Sequence, residues 1–175
     1  GDALKFDFNS IFPGERYRVV GNLPYNISTP LLFHLFAQAD AIVDMHFMLQ
    51  KEVVDRLTAT PNDKYYNRLS VMTQLVCQAQ GLFEIAPSAF TPAPKVTSAF
   101  VRLIPHHPQR VTIDSVLSEV VFLSFNQRRK TLSNTLKSLM SKEELIQLDI
   151  DPGARAQTLE PSAFVRIADW IRQRD

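Results

Sequence analysis

Asn22-Leu23-Pro24-Tyr25 lies directly behind the apolar run Tyr17-Arg18-Val19-Val20-Gly21, so an amide, a proline and an aromatic ring fall together at the end of one predicted strand. In open α/β sheets, ligands bind in the crevice outside the carboxyl ends of the strands. Pro24 has a fixed φ and no N–H, and it holds Leu23 extended, which makes the loop stiff and protruding. The Asn22 side-chain oxygen and a backbone carbonyl, that of Leu23 or Pro24, can both accept hydrogen bonds, and the Tyr25 ring offers a face to a planar base. This combination suits the exocyclic amine and ring of an adenine turned out of its stack. The plain alternative is an Asn/Pro turn with a buried tyrosine, since short motifs also arise by chance.

A second aromatic loop, Phe90-Thr91-Pro92-Ala93-Pro94-Lys95-Val96-Thr97-Ser98, follows one predicted strand and runs into another. Prolines at alternate positions favour an extended path, which holds Phe90 at the sheet rim as a stacking surface opposite Tyr25. A core plug is the alternative role for that ring. Farther along, Arg128-Arg129-Lys130 is followed by Lys137, one heptad after Lys130. An unbroken helix through Phe125, Leu132, Leu136 and Leu139 would set both arginines beside its apolar stripe, so a turn is expected near Asn126 that aims them outward. Guanidinium forks suit phosphate oxygens, whereas a charge cluster without a partner is a solvated helix face.

These segments, with the strand-to-helix junction Gln50-Lys51-Glu52-Val53 and the run Phe125-Asn126-Gln127-Arg128-Arg129-Lys130-Thr131-Leu132, resemble in kind and order the KsgA-type ribosomal RNA adenine dimethyltransferases. The resemblance runs from Asp2 to the C-terminal helix. It implies an α/β fold class, the second half of a Rossmann-like class I methyltransferase sheet, followed by a small all-helical C-terminal domain that docks on ribosomal RNA. The implied activity is S-adenosylmethionine-dependent dimethylation of the 6-amino groups of adjacent adenosines near the 3′ end of small-subunit ribosomal RNA, coupled to maturation of the immature small subunit. The resemblance puts Asn22, Leu23, Pro24, Tyr25 and Phe90 in the catalytic pocket. It implies donor contacts from Asn22 and from Asp2, because Gly1-Asp2-Ala3-Leu4 resembles the acidic motif whose carboxylate accepts a hydrogen bond from the donor's adenine. RNA contacts are implied for Arg128, Arg129, Lys130, Lys137 and Lys95. Two other readings share the fold: a large-subunit enzyme of the erythromycin-resistance type, and a non-catalytic RNA-binding or ribosome-assembly factor. The Asn-Gln-Arg-Arg-Lys-Thr-Leu segment favours the small-subunit enzyme, and the intact Asn22, Tyr25 and Phe90 favour catalysis.

The family places its methyl donor in a glycine-rich loop, yet the five glycines here, Gly1, Gly14, Gly21, Gly81 and Gly153, never fall close together. The donor site is therefore expected to be incomplete, with the sequence beginning inside the catalytic domain. On that reading the backbone from Arg16 to Val20 is an unpaired sheet edge, and such edges recruit other chains, so self-association is expected.

Of the 175 residues, 45% are hydrophobic and 21% charged, with a formal net charge of +1, which fits a globular chain and gives no strong field toward nucleic acid. The charges divide almost evenly on either side of residue 104, so RNA contacts must be local patches. A single cysteine, Cys77, excludes a disulfide framework and fits a reducing, cytoplasmic setting. No secretory signal or membrane-length apolar run is present. His106-His107 lacks partners at ligand spacing, so no metal is expected.

Periodicity predicts strands over 16–20, 43–49, 82–85 and 96–104, and a helix over 51–57. Ser28-Thr29-Pro30 predicts a hydroxyl-capped helix with proline at its first position and Leu31, Leu32, Leu35 and Phe36 on one face. Leu69 to Val76 is an apolar segment of either type. After Pro105-His106-His107-Pro108 the strand signals stop, which predicts domains over 1–104 and 105–175. Thr112 is the expected cap of a helix bearing Ile113, Val116, Leu117 and Val120, and Phe164, Ile167, Ala168 and Ile171 form a similar stripe.

Overall fold

The strand expected ahead of Asn22 forms as β1 (Tyr17–Asn22) in a computed structural model that describes residues 1–11 and 14–174. After β1 come α1 (Ser28–Phe36), β2 (Ile42–Gln50), α2 (Lys51–Thr58), α3 (Arg68–Val76), β3 (Cys77–Ile85) and β4 (Ser98–Pro105). The remainder is helical: α4 (Ser115–Asn126), the short α5 (Leu132–Thr135), α6 (Lys142–Gln147) and α7 (Pro161–Arg174).

The four strands make one mixed sheet in the order β1-β2-β4-β3, with β1 parallel to β2 and the other two pairings antiparallel. β2 is one of the two inner strands, and Met45, Phe47 and Leu49 on one of its faces are fully buried. In register with Phe47 lie Gly21 in β1 and Val101 in β4, so this face is continuous across three strands. Helix α2 covers it, since a Cβ on Gly81 would meet the Val54 side chain at 3.6 Å. β1 is an edge strand with Val20 exposed.

The chain divides into two compact units, residues 1–58 with 76–110, and residues 59–75 with 111–175. The division differs from the expected break at residue 104, because 59–75 belongs with the C-terminal helices. A buried tyrosine is one of the contacts that tie it there. Tyr66 is fully buried, donates its hydroxyl to the Leu159 carbonyl at 2.8 Å and sets its ring edge-on to Phe125. In the same unit the stripe Phe164, Ile167, Ala168 and Ile171 of α7 is buried as periodicity requires.

Two expected caps move. Ser28 is inside α1, preceded by Ile27, and its hydroxyl donates backward to the Tyr25 carbonyl, so Pro30 sits at the third helical position. The cap of α4 is Asp114, whose carboxylate accepts from Leu117 N–H and is clamped by Arg172, in place of Thr112. An anion there complements the partial positive charge of the helix start, which a threonine hydroxyl does less well. β3 begins at Cys77, five residues before the expected Leu82: Cys77-Gln78-Ala79-Gln80 alternates as a strand does, but Ala79 and Gly81 are weak strand formers, which hides its first half.

Candidate active site

Asn22 ends β1 and stands in register with Met48 of β2, so the two side chains share one face at the strand end. Leu23 N–H donates to the Met48 carbonyl at 3.3 Å, carrying the ladder one residue past the strand, while the Leu23 side chain is buried. The chain then turns: Ile27 N–H donates to the Pro24 carbonyl at 3.2 Å and the Ser28 hydroxyl to the Tyr25 carbonyl at 3.1 Å. With those two carbonyls engaged, the Leu23 carbonyl is the acceptor left in the loop next in sequence to the exposed Asn22. Tyr25 keeps 38% of its surface exposed, with its hydroxyl 2.9 Å from Ser98 Oγ.

Across from this loop, Phe90 is half-buried. The Thr91–Pro92 peptide is cis, and the chain bends at Phe90–Pro92 and again near Lys95 instead of running straight as the alternating prolines suggested. Asn22, Leu23, Pro24, Tyr25, Met48, Phe90, Pro92 and Pro94 together line an open cleft of about 330 Å³. That volume suits a small planar ligand. All five residues expected in the pocket thus meet at one cleft. Met48 was missed, because its place follows from strand register and its sequence signal is only that of a strand apolar residue. Ser98 carries no sequence signal beyond its place at the end of the Phe90 loop.

β1 is held to β2 by charge. Arg18 donates from Nε and Nη2 to the two oxygens of Asp44 at 2.6 and 2.9 Å, and Arg102 Nη2 approaches Asp44 Oδ2 at 3.3 Å. Asp44 is 1% exposed, and the Arg18 guanidinium holds its carboxyl below the usual carboxylate range. Elsewhere, Lys51 spans Asp55 and Glu84 at 2.8 and 3.2 Å at the expected strand-to-helix junction.

Asp2 is exposed and lies apart from the lining of the cleft. Its Oδ1 accepts Leu4 N–H at 3.0 Å within a turn closed by Lys5 N–H, and its Oδ2 lies 3.9 Å from Lys5 Nζ. The segment after it is tied to α1, where His34 Nε2 lies 2.7 Å from the Phe6 carbonyl and Gln38 accepts Phe8 N–H at 2.6 Å. His34 is accordingly a structural residue.

In the second unit α4 stops at Asn126, where the turn was expected, and Arg129, Lys130 and Lys137 are exposed. Arg128 is turned back onto the protein: its Nε donates to Gln157 Oε1 at 3.0 Å and its Nη2 to the Lys64 carbonyl at 2.6 Å. Lys95 is exposed on the Phe90 loop, outside the cleft lining. His107 places Nε2 2.8 Å from the Ile42 carbonyl. Among the described residues, no three His, Cys, Asp or Glu side chains are grouped to hold a metal, and no helix is long and apolar enough to cross a membrane.

Comparison with known proteins places this arrangement among relatives. The chain is 58% identical over 169 residues to the ribosomal RNA small subunit methyltransferase A of Methylococcus capsulatus, covering 96% of this chain and 66% of that protein. It is 54% identical over 178 residues to the protein of the same name from Pseudomonas aeruginosa, again covering 66% of it. The chain thus spans just under two thirds of the length of these relatives. A dimethyladenosine transferase from Plasmodium falciparum superposes with a TM-score of 0.84 at 26% identity, covering 99% of this chain and 71% of that one. The 23S rRNA methyltransferase ErmE, at 21% identity and a TM-score of 0.66, shares the fold, covering 99% of this chain and 70% of its own. The family profile described as "Ribosomal RNA adenine dimethylase" matches residues 1–173, and on that match and these identities the chain, with its Asn-Leu-Pro-Tyr turn facing Phe90, belongs to the ribosomal RNA adenine dimethylase family.

Proposed function

We propose that the cleft holds an extruded adenine of small-subunit ribosomal RNA and that the protein methylates its 6-amino group twice. The observation that carries this reading is the meeting of one side-chain amide and two aromatic rings, Asn22, Tyr25 and Phe90, on a single cleft at a strand end. The names of the relatives support the small subunit as the source of the RNA.

The 6-amino nitrogen of adenine is a weak nucleophile because its lone pair is delocalised into the ring. Asn22 Oδ1 and the Leu23 carbonyl accept its two N–H groups, which directs the remaining lone pair out of the ring plane. Asn22 is neutral, so it orients the amine without adding charge, and the N–H left after a first transfer still has an acceptor for a second. Tyr25 and Phe90 sandwich the base, each stack contributing about 1–3 kcal/mol, which offsets the few kcal/mol of unstacking when the nucleotide leaves its loop.

S-adenosylmethionine, when bound, supplies a methyl group on a positively charged sulfur. The residues present fit part of its site: the exposed Asp2 carboxylate would accept the amino group of the donor's adenine, and Asn22, on the cleft, would be a further contact. In the second unit Arg129, Lys130 and Lys137 contact RNA phosphates, and Lys95 adds a cation on the Phe90 loop. The helical unit is the RNA-docking domain in this reading, with residues 59–75 as part of it.

The test is to incubate the protein, as made in its cell, with labelled donor and immature small or large subunits and to map the modified base by mass spectrometry. N6-dimethyladenosine in small-subunit RNA is expected. Modification confined to large subunits, or none at either, overturns the reading.

A further inference from the structure

The two walls of the cleft come from segments far apart in sequence, the turn Asn22–Tyr25 and the loop that runs from Phe90 into β4. Among the described residues, a side-chain hydrogen bond joins them. Tyr25 reaches across with its hydroxyl to Ser98 Oγ at 2.9 Å, and Ser98 is fully buried. Ser98 is itself immobile, because it opens β4 between Gln50 of β2 and Ile85 of β3 and follows Thr97, whose carbonyl accepts Lys51 N–H at 2.9 Å. Tyr25 has the opposite character, being partly exposed on a protruding turn where its carbonyl accepts from the Ser28 hydroxyl. A ring fixed at Cα alone turns about its two side-chain torsions, whereas one tethered at its hydroxyl does not.

From this geometry we infer that Ser98 is a positioning residue that sets the gap between the Tyr25 and Phe90 rings. The inference rests on the proposed function, in which these rings sandwich the base. A stack forms only when both rings lie at contact distance from the base planes, so a preset gap lets the base enter without ordering Tyr25 at that moment. The hydroxyl of Tyr25 then has a role that a phenylalanine at the same position cannot fill, and the serine has one that an alanine cannot.

The test uses the chain with a short single-stranded RNA carrying one 2-aminopurine, whose fluorescence is quenched on stacking and which makes no use of the Asn22 contact to a 6-amino group. Ser98→Ala and Tyr25→Phe are each expected to weaken binding about fivefold, the effect of one hydrogen bond, and to reduce quenching at saturation. Combining them should add little, since both remove the same contact. Tyr25→Phe deletes its oxygen from a partly exposed ring, so it answers the question even if Ser98→Ala impairs folding. Quenching at saturation reports ring placement in the folded complex, which a general loss of stability leaves unchanged. If both variants bind and quench as the parent does while Phe90→Ala loses quenching, the base slot stands and the role of Ser98 is refuted. If Phe90→Ala also changes nothing, the base does not bind in this cleft, and the proposed function fails together with the inference.

Discussion

Asp44→Asn is the substitution whose effect should travel farthest, from the sheet to the cleft. Asp44 and Arg18 are register partners in β2 and β1, and Asn22 lies four residues beyond Arg18 on the same strand. The carboxylate is 1% exposed and takes nitrogen contacts at 2.6, 2.9 and 3.3 Å from Arg18 and Arg102. Removing one partner of a fully buried pair costs about 3–5 kcal/mol. The Arg18 and Arg102 side chains are 59% and 39% exposed, so water recovers part of that, and asparagine keeps one acceptor. The expected loss is therefore about 2 kcal/mol for the first unit. Hydrogen exchange of β1 and β2 amides, with urea unfolding alongside, measures it at pH 7. The pH dependence supplies a second check. A carboxyl whose folded pKa is depressed contributes stability that is present above its unfolded value of about 3.9 and is lost as pH falls through the folded pKa. The gap between parent and variant should thus be full at neutral pH and close as pH falls below about 4. A gap that stays constant down to pH 2 would refute the charge-based account of how β1 is held.

Three further outcomes are expected. Tyr66→Phe should destabilise the second unit by about 1–3 kcal/mol in denaturant unfolding, because it strands the buried Leu159 carbonyl; a neutral result would remove this contact as a reason for grouping 59–75 with the C-terminal helices. Arg129→Ala with Lys130→Ala should weaken binding to small-subunit particles and flatten its dependence on log salt by about 1.5, two phosphate contacts' worth, while an unchanged slope would make the cluster a solvated face. Cys77 is buried, with its thiol pushed up to about 12 by desolvation, so alkylation at pH 8 should occur only on unfolding; rapid labelling of the native protein would contradict that burial.

The parts of the fold written in local chemistry were legible. The run Tyr17–Val20 ahead of Asn22 marked β1, and the two arginines that an unbroken helix would set beside its apolar stripe marked the break at Asn126. The parts set by distant partners were not. Nothing near Tyr66 says that its hydroxyl meets Leu159, so the unit boundary was misplaced. Arg128 looked like its neighbour Arg129, and only the fold brings Gln157 and the Lys64 carbonyl to it. In the cleft, the two rings and the amide were legible from residue type and from their place beside strand ends, though the Phe90 loop bends where its prolines suggested a straight path. Met48 and Ser98 were not, because one is placed by strand register and the other by a contact across 73 residues of sequence.

The most direct test of the base-orienting role is single-turnover methyl transfer to immature small subunits by Asn22→Ala, with RNA affinity measured in parallel. The hydrogen bond from the amine to Asn22 matters most as the nitrogen pyramidalises, so its loss should raise the barrier by about 2–4 kcal/mol, roughly 30- to 1,000-fold in rate. RNA affinity should change by no more than about twofold if docking rests, as proposed, on the helical unit. Near-parental transfer by the variant at saturating RNA, with donor supplied in excess, would contradict the assignment of this cleft as the site of reaction.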